Sequence, residues 1–334
     1  LLELEERGMT LNTTVNISNT IIDGSVPELE LDLMMQTLLA FVNERKYDER
    51  AFGYYKSCLA VEQELMEGSV RDRIVAIDSL MCPEYEFSPL KTSGKITDDF
   101  PSKVEAFWKH QAGKTNDGVL VLVGNVEETK LRKLLQNYVG GFETTDRAYP
   151  RLNVSYLTVS GTSAHTEKGE RNSVDVAMSA RLSLTAENYM ASSIAASVLK
   201  QMISKEIAGT GMYLRLAHDF RIYPQERFSV MVTLEEADPQ GFANDIQLAG
   251  AAEALSVLRK VLSELPSVEI DDADLDKHKN VLNGHLALKI TDAQYWIHAL
   301  AMRYLDGKDL TTSYESRIDA VTAEKVKSIL ASLS

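Results

Sequence analysis

A tyrosine and an arginine two residues apart form the first group in this sequence that could carry out chemistry. They end the stretch from Lys205 to Arg215, whose pattern predicts a helix end, a glycine-containing turn and the start of a strand. Side chains at positions i and i+2 of a strand point to the same side, so Tyr213 and Arg215 would lie together. A phenol and a guanidinium both donate hydrogen bonds. The pair is a candidate for holding a peptide carbonyl or carboxylate, and an ordinary exposed strand face is the alternative interpretation.

The histidine spacing offers no pair of metal ligands. A hydrolytic zinc site takes three protein ligands, usually including two histidines one helical turn apart. No two of the six histidines lie three or four residues apart: His110, His165, His218, His278, His285 and His298. His278 and His285 share a predicted helix face, but seven helical residues span roughly 10 Å. Packing or surface roles are therefore expected for both.

Other catalytic signatures are missing from the sequence. It contains no Gly-x-Ser-x-Gly elbow and no glycine-rich phosphate loop before a helix. Cys58 and Cys82 have neither metal-type nor thioredoxin-type spacing. We therefore expect no catalytic residue, no metal ligand and no cofactor in this chain.

The net charge of the chain excludes two classes of binding partner. The 334 residues carry a formal charge of −14 with a pI of about 5.0. Nucleic acids and anionic membranes attract basic surfaces, so we expect neither as a partner. No stretch approaches the roughly 18 consecutive apolar residues of a membrane-spanning helix.

Hydrophobic periodicity predicts the elements that must position the tyrosine and the arginine. Alternation predicts strands over 174–180, 212–220 and 228–234, with a helix over 186–206 between the first two and further helices after residue 239. In the first half, alternation predicts a half-buried strand over 9–22, and the apolar run Val119–Val123 predicts a buried strand. Strands segregated from helices predict an α+β fold, a mostly antiparallel sheet with helices on one face.

The chain is long enough for two domains. A stretch rich in Thr, Ser, Pro and Gly predicts a linker over 149–170, between a first domain over 1–148 and a second over 171–334. Two segments, Ile96–Val104 and Ile318–Val326, are similar in sequence. Each begins with Ile and ends with Lys-Val at the same spacing. They favour a duplicated domain. The aromatic segment Asp292–His298 has helical spacing and predicts packing.

Several motifs occur in the order seen in one peptidase family. They are Phe107-Trp108, Gly124-Asn125 after the apolar run, Tyr138 to Phe142, then Tyr213, Tyr223-Pro224, Arg227-Phe228, Asp238-Pro239, Tyr295-Trp296, and Tyr314 with Ile318. In this order they resemble the C-terminal, non-catalytic part of zinc metallopeptidases of the pitrilysin/insulinase type (inverzincins). The resemblance covers nearly the whole chain.

This resemblance implies related α+β domains that pair into two halves around a closed peptide chamber. In the family one half carries an inverted zinc motif, and the other half supplies an arginine and a tyrosine that hold the substrate backbone. Tyr213 matches the family tyrosine. Lys205-Glu206 stands where the family has Arg-Glu, with one extra residue before Tyr213, and a lysine cannot form the bidentate contacts of an arginine. Arg215 can substitute for it.

The expectation is therefore a C-terminal part of a bacterial zinc metalloendopeptidase that binds peptide substrates and closes the chamber. Its partner would be an N-terminal zinc-bearing half of the same or another polypeptide, and zinc would belong to the complete enzyme. An inactive assembly subunit without substrate contact is the alternative. Similar bacterial proteins are commonly periplasmic, so the resemblance implies a periplasmic location for this chain, with the cytoplasm as the alternative.

A third interpretation places a zinc motif upstream of Leu1. Glu62 or Glu64, on the helix predicted after Asp48, would then be the third zinc ligand. A solvated helix face is the simpler interpretation, because these glutamates stand among ordinary helix formers.

Overall fold

A computed structural model describes the chain over residues 2–15, 19–43, 47–66, 72, 76–77, 97, 99–109, 115, 118–142, 144, 173–222, 225–236 and 250–333. Helices and small antiparallel sheets make up both of its compact units, Leu1–Val154 and Ser155–Ser334. The predicted α+β class is confirmed. The predicted linker over 149–170 lies outside the described residues.

The first unit begins with a short helix and a β-hairpin. Helix α1 spans Leu2–Glu6, and strands β1 (Thr10–Val15) and β2 (Thr20–Ser25) pair antiparallel with Thr10 opposite Ser25. The prediction of one strand over 9–22 was therefore wrong, because apolar alternation continues through both strands of a hairpin and does not reveal the reversal between them.

Four further helices of this unit are described. They are α2 (Leu31–Asn43), α3 (Glu49–Met66), α4 (Phe100–Phe107) and α5 (Glu128–Tyr138). Helices α2 and α5 meet through Leu31, Met35 and Leu134, all buried. The Tyr138 hydroxyl donates to Asp32 Oδ1 of α2 over 3.1 Å, which fixes the end of α5 against α2.

The apolar run Val119–Val123 differs from its prediction. It forms no strand, and within the described residues no strand pairs with it. Val119, Leu120 and Leu122 are 39%, 42% and 40% exposed, so the run is not a buried strand here. Its composition is typical of a strand covered on both faces, and the described part of this unit supplies no such cover.

The second unit is built on a three-stranded antiparallel sheet. Its strands are β3 (Ser173–Arg181), β4 (Met212–Arg221) and β5 (Arg227–Glu236), with β5 in the middle. All three predicted strands are confirmed. Leu216 and Val176 both lie opposite Val232, which sets one register across the sheet.

Six helices belong to this unit within the described residues: α6 (Ala186–Glu206), α7 (Ala251–Glu264), α8 (Asp272–Lys289), α9 (Ala293–Asp306), α10 (Tyr314–Asp319) and α11 (Ala323–Ser332). Side-chain oxygens of Thr185, Asp271, Asp292 and Thr322 accept from free amides at the starts of α6, α8, α9 and α11. Each such cap is worth about 1 kcal/mol.

One core joins the sheet and these helices. The side chains of Phe228, Val230, Val232 and Leu234 point from β5 toward α6, whose long apolar face is buried along its length. Each fully buried side chain of this size contributes about 1.5–3 kcal/mol by leaving water. The helices therefore cover one face of the sheet, and the opposite face is available for polar groups.

Among the helices that the structure describes, none is long and apolar enough to cross a membrane.

Candidate functional site

The sheet of the second unit has one apolar and one polar face. Strand side chains alternate, and the register aligns odd-numbered residues of all three strands on the face away from α6. That face, here called the polar sheet face, carries Asp175, Ser179, Tyr213, Arg215, Asp219, Arg227, Ser229, Thr233 and Glu235. The even-numbered neighbours on β4, such as Met212, Leu214 and Leu216, pack on the core.

Tyr213 and Arg215 lie on this face, side by side along β4 as their spacing predicts. Tyr213 is 56% exposed. Nη2 of Arg215 bonds to Oε2 of Glu235 over 2.7 Å, and Glu235 is the residue directly opposite Tyr213 on β5. Glu235 therefore orients the guanidinium beside the phenol. A guanidinium has five N–H donors, and the contact with Glu235 engages one of its three nitrogens.

Glu235 is a residue that the sequence analysis missed. Alternation along β5 would have placed it on the same face as Thr233, but its contact with Arg215 is diagonal across two strands. Such a contact depends on the register, which alternation within one strand does not give.

Lys205 lies apart from this pair, in the helix layer. It is exposed in the last turn of α6, on the face of the sheet opposite to Tyr213. The chain then passes through a turn in which Gly209 and Gly211 adopt φ values of 81° and 71°, a left-handed conformation that glycine adopts without strain. The structure shows no contact that brings Lys205 together with Tyr213 or Arg215.

A hydrogen-bonded network occupies the rest of the polar sheet face. Arg227, 9% exposed, donates from Nε to Ser179 Oγ over 2.8 Å, and Ser229 Oγ donates to the same oxygen over 3.2 Å. Nearer to Arg215, Thr233 Oγ1 donates to Asp175 Oδ1 over 2.6 Å. This cross-strand network fixes the side chains that flank the tyrosine and arginine.

Asp219 is a carboxyl on the same face, opposite Ser229. Partial removal from water raises its pKa, although the Phe220 amide and the charge of Arg221 act in the other direction. A carboxyl in this condition gains from a cationic or hydrogen-bond-donating ligand. Together, the tyrosine, the arginine and this carboxyl can donate to and accept from an extended polar chain.

The histidines lie in separate environments. Burial lowers the pKa of His278, with Lys277 acting in the same direction, and its Nδ1 shares a 2.8 Å hydrogen bond with Ser197 Oγ. His218 packs near Phe228, while His285 and His298 are exposed. His110, His165 and Cys82 lie outside the described residues.

Among the described residues, no cluster of three His, Cys, Asp or Glu side chains is positioned to hold an ion. Glu62 and Glu64, the candidates for a distal zinc ligand, are both exposed on α3. The described residues thus do not fit a zinc ion.

The aromatic segment near α9 packs as predicted. Trp296 Nε1 donates to the Ile290 carbonyl over 2.8 Å, and the Tyr295 and Trp296 rings meet edge to face. These contacts fix the connection between α8 and α9.

No family model and no curated protein matches the sequence. Solved structures do match along nearly its whole length. The ferredoxin protease FusC, solved as a mutant in complex with Arabidopsis ferredoxin, has 16% identity and a TM-score of 0.71, over 99% of this chain and 36% of that chain. The periplasmic protease PqqL from Escherichia coli has 15% identity and a TM-score of 0.69, over 98% and 36%.

A putative M16-like peptidase from Alicyclobacillus acidocaldarius has 11% identity and a TM-score of 0.66, over 99% of this chain and 78% of that chain. At these identities the likeness shows the fold alone, which is the fold of M16-like, pitrilysin-type peptidases. The chain spans little more than a third of the length of the first two proteases.

Proposed function

We propose that this chain is the non-catalytic, C-terminal part of a zinc metallopeptidase and that it binds the backbone of a peptide substrate. The observation that carries the proposal is the exposed phenol of Tyr213 beside the guanidinium of Arg215, oriented by Glu235 on the polar sheet face. The shared fold with M16-like peptidases supports the reaction class.

The geometry suits an extended peptide. Within the described part of the chain, β4 pairs only with β5, so its other edge can offer backbone groups to an added strand. Tyr213 and Arg215 would donate to peptide carbonyls, and Asp219 would accept from amides or attract a basic side chain. Lys205 would contribute a positive charge near the turn before β4 rather than a direct contact.

The zinc ion of the complete enzyme would be held by an N-terminal half, of the same polypeptide or of a partner, and would supply a Lewis acid and an activated water there. This chain would hold the substrate against that half. A periplasmic location is part of the proposal, supported by the fold shared with a periplasmic protease.

An assay of the chain alone tests the non-catalytic role. With added zinc and an unstructured peptide such as insulin B chain, we expect no cleavage above background. Cleavage that a chelator abolishes would contradict the proposal, because the hydrolytic site would then lie within this chain.

Kinetics of the reconstituted enzyme test the binding role. Arg215→Ala and Tyr213→Phe should each reduce kcat/KM, by about 10-fold or more for the arginine, since a charge-assisted hydrogen bond is worth about 1.5–3 kcal/mol. Arg259→Ala, an exposed arginine on α7, is the matched control and should leave the rate unchanged. Association of the halves is measured in parallel.

The alternative is an inactive assembly subunit, as in a two-subunit processing peptidase. The exposed apolar side chains of Leu120 and Leu122 favour it, because such surface marks association sites. If the Tyr213 and Arg215 variants assemble and react like the unaltered enzyme, the assembly role replaces substrate binding.

A further inference from the structure

Three arginines form a row across the sheet of the second unit, at one end of the polar sheet face. Arg181, the last residue of β3, and Arg221, the last residue of β4, both lie opposite Arg227, the first residue of β5. All three are odd-numbered, so their side chains leave the sheet on the same face as Tyr213. Residues directly opposite each other have Cβ atoms about 4.5–5.5 Å apart. These three side chains, here called the arginine row, therefore concentrate positive charge.

The three guanidinium groups differ in exposure and in how they are held. The central Arg227, 9% exposed, donates from Nη2 to the Ser179 carbonyl over 3.2 Å, in addition to its bond to the Ser179 hydroxyl. Arg181 is exposed, and Gln225, with its amide oxygen turned toward the guanidinium, accepts from Arg181 Nε over 2.9 Å. Arg221 is half-buried. The row thus has a fixed central cation with a more accessible cation on each side.

Few negative charges accompany this row. The next residues of the same face, toward Tyr213, are Ser179, Ser229 and Asp219, which lie opposite one another across the three strands. Across these two rows, three side chains are cationic and one is anionic. Glu226, in the turn before β5, is engaged by Lys308. Like charges at directly opposed strand positions are destabilising, so an anionic ligand would stabilise this end of the sheet.

We propose that the arginine row binds carboxylates of an acidic segment in the peptide substrate. This inference rests on the peptide binding proposed at Tyr213 and Arg215, and it gives that binding a sequence preference. A guanidinium presents a planar fork of donors that matches the two oxygens of a carboxylate, and such charge-assisted pairs are stronger than neutral hydrogen bonds.

The position of the row suits one peptide that contacts both places. Six residues separate Arg215 from Arg221 along β4, which corresponds to about 20 Å at about 3.4 Å per residue. An extended peptide on the same face covers this distance with about six residues of its own. Carboxylates about six residues from the part held at Arg215 would therefore reach the arginine row.

The charge of the whole chain has the opposite sign to that of the row. The formal charge of −14 repels an acidic peptide at long range. Exposed charges are largely screened beyond about 8 Å at physiological ionic strength, however, so distant carboxylates have little effect at the row. The preference for acidic peptides should therefore come from direct contacts.

Fluorescence anisotropy of the whole chain in phosphate-free buffer tests the preference. The probes are three fluorescein-labelled peptides of about fourteen Ala, Ser and Thr residues, long enough to span from Tyr213 to the row in either direction. They carry two Glu, two Gln or two Lys residues at each end. We expect the Glu peptide to bind at least about 10-fold more tightly than the Gln peptide, because it adds charge-assisted hydrogen bonds.

Substitutions assign the preference to the row. Arg181→Gln with Arg221→Gln should bring the Glu peptide to within about 2-fold of the Gln peptide, because both accessible cations are lost. Arg132→Gln with Arg259→Gln is the matched control, since it removes the same two charges from exposed positions on α5 and α7 and should keep the preference. Circular dichroism verifies the fold of each variant.

Two further variants keep the test decisive if the double variant does not fold. Arg181→Gln alone alters an exposed side chain and should remove part of the preference. Arg181→Glu with Arg221→Glu should bind the Lys peptide more tightly than the Glu peptide, because the charge at both ends of the row is reversed. A loss of structure would not produce this exchange of preference.

The Tyr213→Phe variant separates this inference from the proposed function. It should weaken all three peptides by the same factor and leave the ratio between the Glu and Gln peptides unchanged. Equal binding of the Glu and Gln peptides, still weakened by Tyr213→Phe, would overturn the role of the arginine row alone. Binding of no peptide would overturn both proposals.

Two other results would also overturn the carboxylate assignment. A preference for the Glu peptide that is as strong in the Arg181 and Arg221 variants as in the control would mean that it arises elsewhere on the chain. Release of the Glu peptide by sub-millimolar inorganic phosphate would make the row a phosphate site, because a phosphate ion would then occupy the guanidinium groups in preference to carboxylates.

Discussion

The two units of this chain differ in how much apolar surface they bury for themselves. In the second unit the sheet and helices share one continuous core, in which Phe228, Leu199 and Leu258 are fully or almost fully buried. In the first unit the described residues form two small clusters, one around Met9 and one around Leu31. The same unit leaves Leu120 and Leu122 exposed.

The continuous core of the second unit supports its site directly, whereas the described part of the first unit buries its apolar side chains in smaller groups. A continuous core fixes the strand register, and the register places Tyr213, Arg215 and Glu235 together. Small clusters contribute less to the free energy of unfolding, because the stability of a domain comes mainly from apolar burial.

Leucine-to-alanine substitutions should give the largest contrast. Leu199→Ala removes a fully buried side chain from the large core and should cost about 4 kcal/mol of unfolding free energy, whereas Leu134→Ala in a small cluster should cost about 2 kcal/mol. The chain has two tryptophans, Trp108 in the first unit and Trp296 in the second, so fluorescence of single-tryptophan variants reports each unit. Equal losses would contradict the contrast.

Acid should destabilise the second unit by protonating His278. The loss of unfolding free energy should be smaller than that caused by Leu199→Ala, because no side chain is removed from the core. Burial lowers the pKa of His278 from 6.5, with Lys277 and then Lys205 acting the same way and Asp274 opposing them, while Ser197 faces it from α6. The unfolded chain therefore takes up the proton more readily. Stability from this group is full above about pH 6.5 and is lost as pH falls from there toward the folded pKa.

Denaturant titrations between pH 7.5 and 5 measure this effect. His278→Gln should show a shallower loss of stability than the unaltered chain, while His298→Gln, at an exposed position, should follow the unaltered slope. If all three slopes agree, protonation of His278 does not control the acid sensitivity.

The Arg215–Glu235 pair should matter little for stability. Both side chains are partly exposed, so Glu235→Gln should change the unfolding free energy by no more than about 1 kcal/mol. The same substitution should lower peptide affinity in the reconstituted enzyme, because the guanidinium loses its orientation. A large stability loss with unchanged affinity would make Glu235 a structural residue instead.

The smallest effect is expected at Leu122. Because it is 40% exposed in the chain alone, Leu122→Lys should change the unfolding free energy of the first unit by about 0.5 kcal/mol or less. A loss of several kcal/mol, followed through Trp108 fluorescence, would show that the side chain is already buried.

Sequence patterns predicted the second unit well because its determinants are local. Met212, Leu214 and Leu216 alternate with polar residues along β4, which is the pattern that predicted the strand over 212–220. These signals act over two to four neighbouring residues, so they can be recognised in a single amino-acid sequence.

The parts that sequence missed depend on contacts far along the chain. Val119–Val123 has a strand composition but no described partner, since a ladder requires a second segment that composition does not specify. Likewise, Lys205 and Tyr213 are close in sequence, yet the turn between them leaves one in the helix layer and the other on the opposite face. The Arg215–Glu235 contact arises from the register alone.

Photocrosslinking at position 213 tests the central claim most directly. A photoreactive phenylalanine analogue replaces Tyr213 in the reconstituted enzyme, and a chelator prevents hydrolysis of a biotinylated insulin B chain during irradiation. Tyr304, 67% exposed on α9, receives the same analogue as a control. We expect the peptide to be attached at position 213 and not at 304. Attachment at neither position, or equally at both, would contradict substrate binding on the polar sheet face.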